Sequence, residues 1–162
     1  MSTLFVDNLK PNLNTGVHIP GHIIQIINVE NDTATSTSST SFIPTNVTAT
    51  ITPKFATSKI LVICQASVRQ NTATSNGSSV RAQIHRGTTA IGQRTEVGTR
   101  EIAGPNNTDY VQGAYLLQVL DSPNTTNSTT YTVYIDCLSS AVSATINHNT
   151  SGSSMTLMEV AQ

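Results

Sequence analysis

The chain has 162 residues, a formal net charge of −1 at pH 7 and a charged fraction of 10%, against about 25% for an ordinary soluble domain. This length fits one domain that can form its core without metal or disulfide staples. The weak charge, with four tyrosines, three phenylalanines and no tryptophan, argues against nucleic-acid binding, and no apolar run approaches the roughly 20 residues that span a bilayer.

Polar but uncharged side chains dominate the composition. Serine, threonine and asparagine supply 18, 26 and 14 residues, so we expect a surface made mostly of hydroxyl and amide groups. Threonine favours strands, whereas serine and asparagine favour turns. Dense runs of isoleucine, valine and leucine at strand spacing distinguish the chain from a disordered one.

The sequence predicts that residues 1–21 form an extended N-terminal arm. This segment holds two prolines and two glycines, shows no sustained alternation, and lacks the basic and apolar regions of a secretion signal. We therefore expect a protein that is made in a cytosol and keeps its N terminus. The apolar residues of the arm are Leu4, Phe5, Val6, Leu9, Leu13, Val17 and Ile19. They are too numerous for a free tail, so the arm is expected to pack on its own domain, on a sister subunit or on a docking partner.

Two strands are predicted between the arm and the centre of the chain. Residues 22–30 form the first, and residues 47–52 form the second, in which apolar residues alternate with threonines. That alternation is typical of a half-buried strand whose outer face carries hydroxyls. The polar residues between the two strands, 31–41, are predicted to be a loop.

The most strand-like stretch is residues 58–68, around which we expect the domain to be organised. One face is apolar throughout and consists of Ile60, Val62, Cys64, Ala66 and Val68. On the other face, Leu61 and Ile63 are followed by polar residues. This two-residue period predicts a strand that is covered on both faces at its start and on one face at its end.

The second half of the chain continues the same alternation. Further strands are predicted at residues 79–86, 90–94, 110–120, 129–138, 142–146 and 155–160. Polar loops are predicted at residues 70–78, 104–109 and 121–128, and residues 95–109 are weakly patterned. Eight to ten short strands without a persuasive helix predict an all-β fold, an antiparallel β-sandwich or jelly roll over residues 22–162.

The two cysteines lie on apolar strand faces. Cys64 alternates with the apolar residues of the central strand, and Cys137 alternates with Tyr131, Val133 and Ile135. We expect buried free thiols. A disulfide between them stays open, because it requires the two strands to be neighbours.

The histidines and carboxylates form no recognisable catalytic or metal-binding motif. The four histidines are His18, His22, His85 and His148, and the nine carboxylates are Asp7, Glu30, Asp32, Glu96, Glu101, Asp109, Asp121, Asp136 and Glu159. None of the histidines has a second ligand at metal-binding spacing, so we expect surface or arm residues, although a trimer could gather one histidine from each subunit around a metal on its axis. Nothing in the spacing selects two carboxylates for hydrolysis. The sequence thus predicts no enzyme, no cofactor and no catalytic residue.

Several short segments resemble small structural proteins of tailed phages, especially phages of marine bacteria and cyanobacteria. They are residues 1–10, 17–25, 47–53, 58–62, 120–123, 129–131 and 158–160, which occur in that group in the same order. The resemblance implies a virion protein of the tail-fibre or appendage type, with a compact β-sandwich similar to the trimeric heads of fibre proteins. It implies no cofactor and no active site.

The leading hypothesis is therefore a phage virion component that assembles as a homotrimer. Its arm would dock on other virion proteins or exchange between subunits, and its loops near residues 31–41, 70–78, 104–109 and 121–128 would face a host glycan or protein. It would be assembled in the host cytoplasm and exposed on the extracellular particle, with no nucleic-acid partner and no membrane insertion. A capsid decoration or cement protein is the alternative, and a polysaccharide-degrading enzyme is a more distant one.

Overall fold

In the computed structural model of the chain, the described residues are 19–72, 79–99 and 109–162. Eleven strands occur within these ranges, together with a 3₁₀ turn at His148–Thr150. In chain order the strands are β1 (Ile23–Asn31), β2 (Thr35–Thr37), β3 (Ile43–Ile51), β4 (Lys59–Thr72), β5 (Ser79–Arg86), β6 (Thr89–Ala90), β7 (Thr95–Thr99), β8 (Asp109–Asp121), β9 (Thr129–Cys137), β10 (Val142–Ile146) and β11 (Ser153–Val160).

The strands form two antiparallel sheets. In sheet A, β8 pairs with β4 along its whole length, while β11 and β10 pair with successive halves of β4 and are themselves flanked by β1 and β2. Because a strand has only two edges, β10 and β11 must share the edge of β4 that β8 leaves free. Sheet B follows the order β3, β9, β5, with β6 and β7 both on the last edge of β5.

Counting β1 with β2, β6 with β7, and β10 with β11 as interrupted strands gives eight strands in all. Their order is then 1-8-3-6 in sheet A and 2-7-4-5 in sheet B. This interleaving of two four-stranded antiparallel sheets is the arrangement of a jelly roll. The predicted all-β sandwich is confirmed, and the topology specifies which kind it is.

The core lies between the inner faces of the two sheets. The predicted inner face of β4 is correct, since its five apolar residues from Ile60 to Val68 have no exposed surface. Apolar residues of the neighbouring strands lie beside those of β4 on the same face. Leu157 on β11 and Val119 on β8, for example, flank Val62. Burying a side chain of this size contributes about 1.5–3 kcal/mol. The packed rows therefore hold the sheets together without a disulfide.

The two cysteines confirm this arrangement. Cys64 lies on β4 in sheet A and Cys137 at the end of β9 in sheet B, and both are buried free thiols. Burial raises the pKa of Cys64 to about 12. These thiols are therefore part of the core and react slowly.

Some predicted boundaries were wrong. The loop predicted at residues 31–41 contains β2, because Thr35–Thr37 pairs with β10 and the Ser36 hydroxyl contacts the Thr145 hydroxyl at 2.9 Å. The predicted strand at residues 90–94 is reduced to Thr89–Ala90, and the weakly patterned Thr95–Thr99 is a strand instead. Threonine and serine fit both a strand and a loop, so composition alone did not separate them. Of the arm, residues 1–18 lie outside the described residues.

Candidate interaction surfaces

The outer face of sheet A carries an apolar row that crosses four strands. The register pairs Ile26 with Met158, Met158 with Leu61, and Leu61 with Leu120. We call these four residues the outer row. Ile26 is 57% exposed and Leu120 is 53% exposed, while Leu61 and Met158 are half-buried. The prediction that β4 is covered on both faces at its start is therefore only partly met by the described residues.

The outer row does not stand alone on this face. Ile23 pairs with Val160 next to the row and is 53% exposed, and Leu116 on β8 is 62% exposed. Between them the face carries polar residues, including a hydrogen bond of 2.8 Å from the Thr156 hydroxyl to the Asn28 side chain. The apolar surface is thus concentrated at the end of sheet A where β1 begins.

The outer face of sheet B is built from hydroxyls that satisfy one another. Thr48 and Thr132 lie opposite each other with hydroxyl oxygens 2.9 Å apart, and the next pair, Thr50 and Thr130, are 2.8 Å apart. The Thr48 hydroxyl also lies 3.0 Å from the carbonyl of Tyr131. Cross-strand threonine pairs of this kind stabilise a sheet while leaving its surface wettable.

An ion pair occupies the far side of the same face. Arg81 donates from Nε to Asp136 Oδ1 at 2.8 Å, and its Nη2 forms a second, shorter contact with Oδ2. Asp136 is 1% exposed and Arg81 is 18% exposed. Two parallel N–H donors on one carboxylate give a bidentate pair. The Arg81 guanidinium also lies 5.6 Å from the ring of Phe42, close enough for a cation–π contact.

His85 is buried beneath aromatic rings, so the prediction of a surface residue was wrong for this histidine. Its ring stacks on Tyr134 at 3.9 Å between centroids, Phe42 lies 5.8 Å away, and only 7% of the residue is exposed. Nδ1 lies 3.3 Å from the carbonyl of Thr88, whereas Nε2 has no hydrogen-bond partner among the described residues. Burial lowers the pKa of His85 below its ordinary value, and the Thr88 contact opposes this only in part.

The other described histidines are not brought together. His22 is exposed at the start of β1, and His148 contacts Arg69 through a ring nitrogen at 2.6 Å. His18 lies outside the described residues. Within residues 19–72, 79–99 and 109–162, no three His, Cys, Asp or Glu side chains are grouped so as to hold a metal ion.

Asp121 joins the two sheets at the end of β8. Its carboxylate accepts a hydrogen bond from the Tyr131 hydroxyl at 2.8 Å and contacts from Arg86 Nη1 at 2.8 and 3.0 Å. Arg86 also reaches the carbonyl of Ser122 at 3.3 Å. Burial and the hydrogen bond to Asp121 both raise the pKa of Tyr131, so this hydroxyl stays protonated. The cluster therefore anchors the segment at residues 122–128.

Glu159 has an equally structural position. Its side chain accepts hydrogen bonds from the backbone amides of Lys54 and Phe55 at 2.8 and 3.2 Å, and from the Gln25 amide at 2.6 Å. The residue has no exposed surface. This carboxylate therefore holds the connection between β3 and β4 in place.

A shallow groove on sheet A brings two exposed carboxylates to a cleft. Cavities of about 240 and 270 Å³ share Glu30 and Gly152, and Asp32 lines the second. Both carboxylates are exposed, and neither forms an ion pair within the described ranges. Their neighbours are serine, asparagine and glutamine side chains. The groove therefore presents carboxylate, hydroxyl and amide groups to solvent.

The predicted contact loops lie at opposite ends of the sandwich. Thr72 pairs with Asp109 and Ser79 with Thr99, so the strand ends that border residues 73–78 and 100–108 lie at one end, close to the turn at residues 38–42. Residues 122–128 leave from the other end, since Asp121 pairs with Ile60, about 40 Å away along β4. The described residues that border the four predicted loops therefore lie at two different ends of the sandwich.

The described residues contain no helix long and apolar enough to cross a membrane. They define a jelly-roll β-sandwich with an apolar row on one outer face and a hydroxyl-rich opposite face. Among the described carboxylates, Asp121, Asp136 and Glu159 are each engaged in structural contacts.

No family model matches the sequence, and no curated protein matches it. Among solved structures, the chain is similar to the VP2 protein of infectious bursal disease virus, both as a mutant in derived T=1 particles (14% identity, TM-score 0.40) and as a subviral particle (14% identity, TM-score 0.39). The alignments cover 98% of this chain but only 41% and 42% of the VP2 chains, so this chain spans about two fifths of their length.

Proposed function

We propose that this protein is a structural subunit of a virus particle. The observation that carries the proposal is the outer row, an exposed apolar surface on a molecule whose other outer face is hydroxyl-rich, with its threonines paired across strands. An exposed apolar surface on a soluble domain commonly marks a site of association. A jelly roll is a frequent solution for such subunits, since its loops and outer faces vary without disturbing the core.

The specific role that we propose is a tail-fibre or appendage protein of a tailed phage that assembles as a homotrimer. The ordered sequence segments shared with small phage structural proteins support the phage assignment. Hydroxyl-rich surfaces support an extracellular location, because ion pairs are screened by salt whereas neutral hydrogen bonds are not. The protein would be assembled in the host cytoplasm and displayed on the virion.

Host contact is best assigned to one end of the sandwich. The turns at residues 38–42 and 138–141 lie there, and the strand ends that border residues 73–78 and 100–108 are at the same end. The segment at residues 122–128 is held by Asp121 at the opposite end and is better suited to face the particle. A host glycan or protein would meet hydroxyl and amide groups at the first end.

The second candidate is a capsid decoration or cement protein. The strand order favours it as much as the first, because the jelly roll is common in viral capsid domains. In that role the apolar face would lie on the capsid and the hydroxyl face would be turned to solvent.

We further propose that the protein is not an enzyme. A glycoside hydrolase needs two carboxyl groups flanking one bond, and the buried carboxylates of the described residues are held by arginine, tyrosine or backbone amides. Glu30 and Asp32 are the pair to examine. The double variant Glu30→Gln with Asp32→Asn is expected to release as little sugar from host polysaccharide as the unaltered chain, and release by the latter alone would contradict the proposal.

Locating the chain on intact particles tests the assignment. A tag placed at the exposed Gln162 and labelled with gold is expected to mark the tail or its appendages by electron microscopy. Label on the head would favour decoration, and particles without the chain would contradict a virion role altogether. Light scattering on the purified protein should give a mass near three times 17.2 kDa, and a strict monomer would contradict the trimer.

A further inference from the structure

The outer row lacks a covering segment among the described residues. Four strands contribute one residue each, and three strand spacings make the row about 14 Å wide. Together with Ile23 and Val160 it forms a continuous apolar surface at the β1 end of sheet A. An exposed apolar surface of this kind commonly marks a site where another apolar segment packs.

A turn reverses the chain immediately before β1, next to this surface. His22 N donates to the carbonyl of Ile19 at 3.1 Å, Pro20 and Gly21 are the central residues, and Gly21 has φ of 84°. Proline followed by glycine at positive φ is typical of a type II β-turn, which reverses the direction of the chain. The Gly21 amide and the His22 carbonyl are fixed to Ala161 at 2.8 and 2.9 Å. The turn is therefore tied to the end of β11.

The segment before the turn has the length and composition to cover the row. Residues 1–18 reach up to about 60 Å when extended, several times the width of the row. Their apolar side chains recur at intervals in Leu9, Leu13 and Val17. Ile26, the member of the outer row on β1, lies three residues beyond Ile23, about 10 Å along the strand. Val17, the nearest of the three to the turn in sequence, therefore has only a short distance to cover to reach the row.

We propose that residues 1–18 of the N-terminal arm pack on the outer row of their own chain. The apolar side chains of the arm lie across Ile26, Met158, Leu61 and Leu120 in the unassembled subunit. This inference goes beyond the proposed virion role and does not depend on it. It also provides a means of assembly, because an arm that binds its own sheet can bind the same face of a neighbour by exchange.

A site-directed disulfide tests the proposal in the full-length chain. Leu13→Cys is combined with Leu120→Cys on the outer row, and the matched control combines Leu13→Cys with Thr50→Cys. Thr50 is exposed on the outer face of sheet B, two residues from Thr52, whose carbonyl accepts a hydrogen bond from Gln25 on β1. An unattached arm would reach both positions. The native Cys64 and Cys137 are buried and compete poorly.

Under mild oxidation, we expect the Leu120→Cys pair to close within one chain about tenfold faster than the Thr50→Cys pair, at a rate independent of protein concentration. Circular dichroism of each variant checks that the strands are retained. Equal rates for the two pairs would overturn the proposal, because they would describe an arm without a preferred face. A disulfide that joins two chains at low protein concentration would also overturn it, since the row would then bind a neighbour's arm and not its own.

Discussion

The two sheets have the same alternating sequence pattern, but the side chains on their outer faces differ in kind. In sheet B, Thr48, Thr50, Thr130 and Thr132 face outward and bond to each other across two strands. In sheet A, the outward residues Ile26 and Leu120 are more than half exposed. The threonine hydroxyls complete their hydrogen bonds within one sheet. An apolar row, in contrast, contributes favourable free energy only when another surface covers it and removes it from water. We therefore expect sheet A, and not sheet B, to be the face that another surface covers.

The largest expected effect on this comparison comes from breaking the ion pair of sheet B. Asp136→Ala should lower the free energy of unfolding by about 3 kcal/mol, at the lower end of the range for a buried pair, because Arg81 keeps some access to water. The matched control is Glu96→Ala, an exposed residue opposite Arg81 in the register, which should change it by less than about 0.5 kcal/mol. Urea denaturation measures both. Equal costs would mean that the pair is not a structural part of this face.

The pH dependence of stability tests the aromatic cluster of sheet B. Burial lowers the pKa of His85 below 6.5, so the unfolded chain binds a proton more readily than the folded one. Stability should therefore fall as the pH drops below about 6.5 and continue to fall until the pH reaches the folded pKa.

The variant His85→Gln should reduce this dependence. Urea denaturation at pH 7.5 and 5.5 compares it with the unaltered chain, and His22→Gln serves as the exposed control. If the His85→Gln variant and the unaltered chain lose the same free energy of unfolding between pH 7.5 and 5.5, the buried histidine is not the cause of the pH dependence.

A smaller effect is expected from the threonine ladder. The variants Thr50→Val and Thr130→Val, made singly and together, should reveal a coupling energy of about 0.2–1 kcal/mol, the usual range for a cross-strand pair. A thermodynamic cycle from chemical denaturation gives this value. Zero coupling would show that each hydroxyl is as well satisfied by water as by its partner.

The smallest effect on stability is expected on the outer row itself. Leu120→Ser should change the free energy of unfolding of the isolated sandwich by less than about 0.5 kcal/mol, because the side chain is already 53% exposed. It should nevertheless weaken self-association, measured by sedimentation. Thr130→Ser on the other sheet is the control and should leave association unchanged. The reverse result would place the binding face on sheet B.

Local alternation sufficed to predict the fold class and the inner face of the central strand. The outer row was not predictable in this way, because its members are at positions 26, 61, 120 and 158 and meet only through the register of four strands. One signal was present in the sequence, since Leu61 and Ile63 place apolar groups on the second face of β4. The burial of His85 was not predictable from local sequence for a similar reason, because Phe42 and Tyr134 contact it from other parts of the chain.

The oxidation of two methionines by dilute peroxide tests most directly whether sheet A is a covered face. Met155 points into the core and has no exposed surface, whereas Met158 lies on the outer row. In the full-length chain we expect Met158 to oxidise nearly as slowly as Met155, and to oxidise much faster when Leu9→Ser, Leu13→Ser and Val17→Ser remove the apolar side chains of the arm. Rapid oxidation of Met158 at the same rate in both chains would contradict the account.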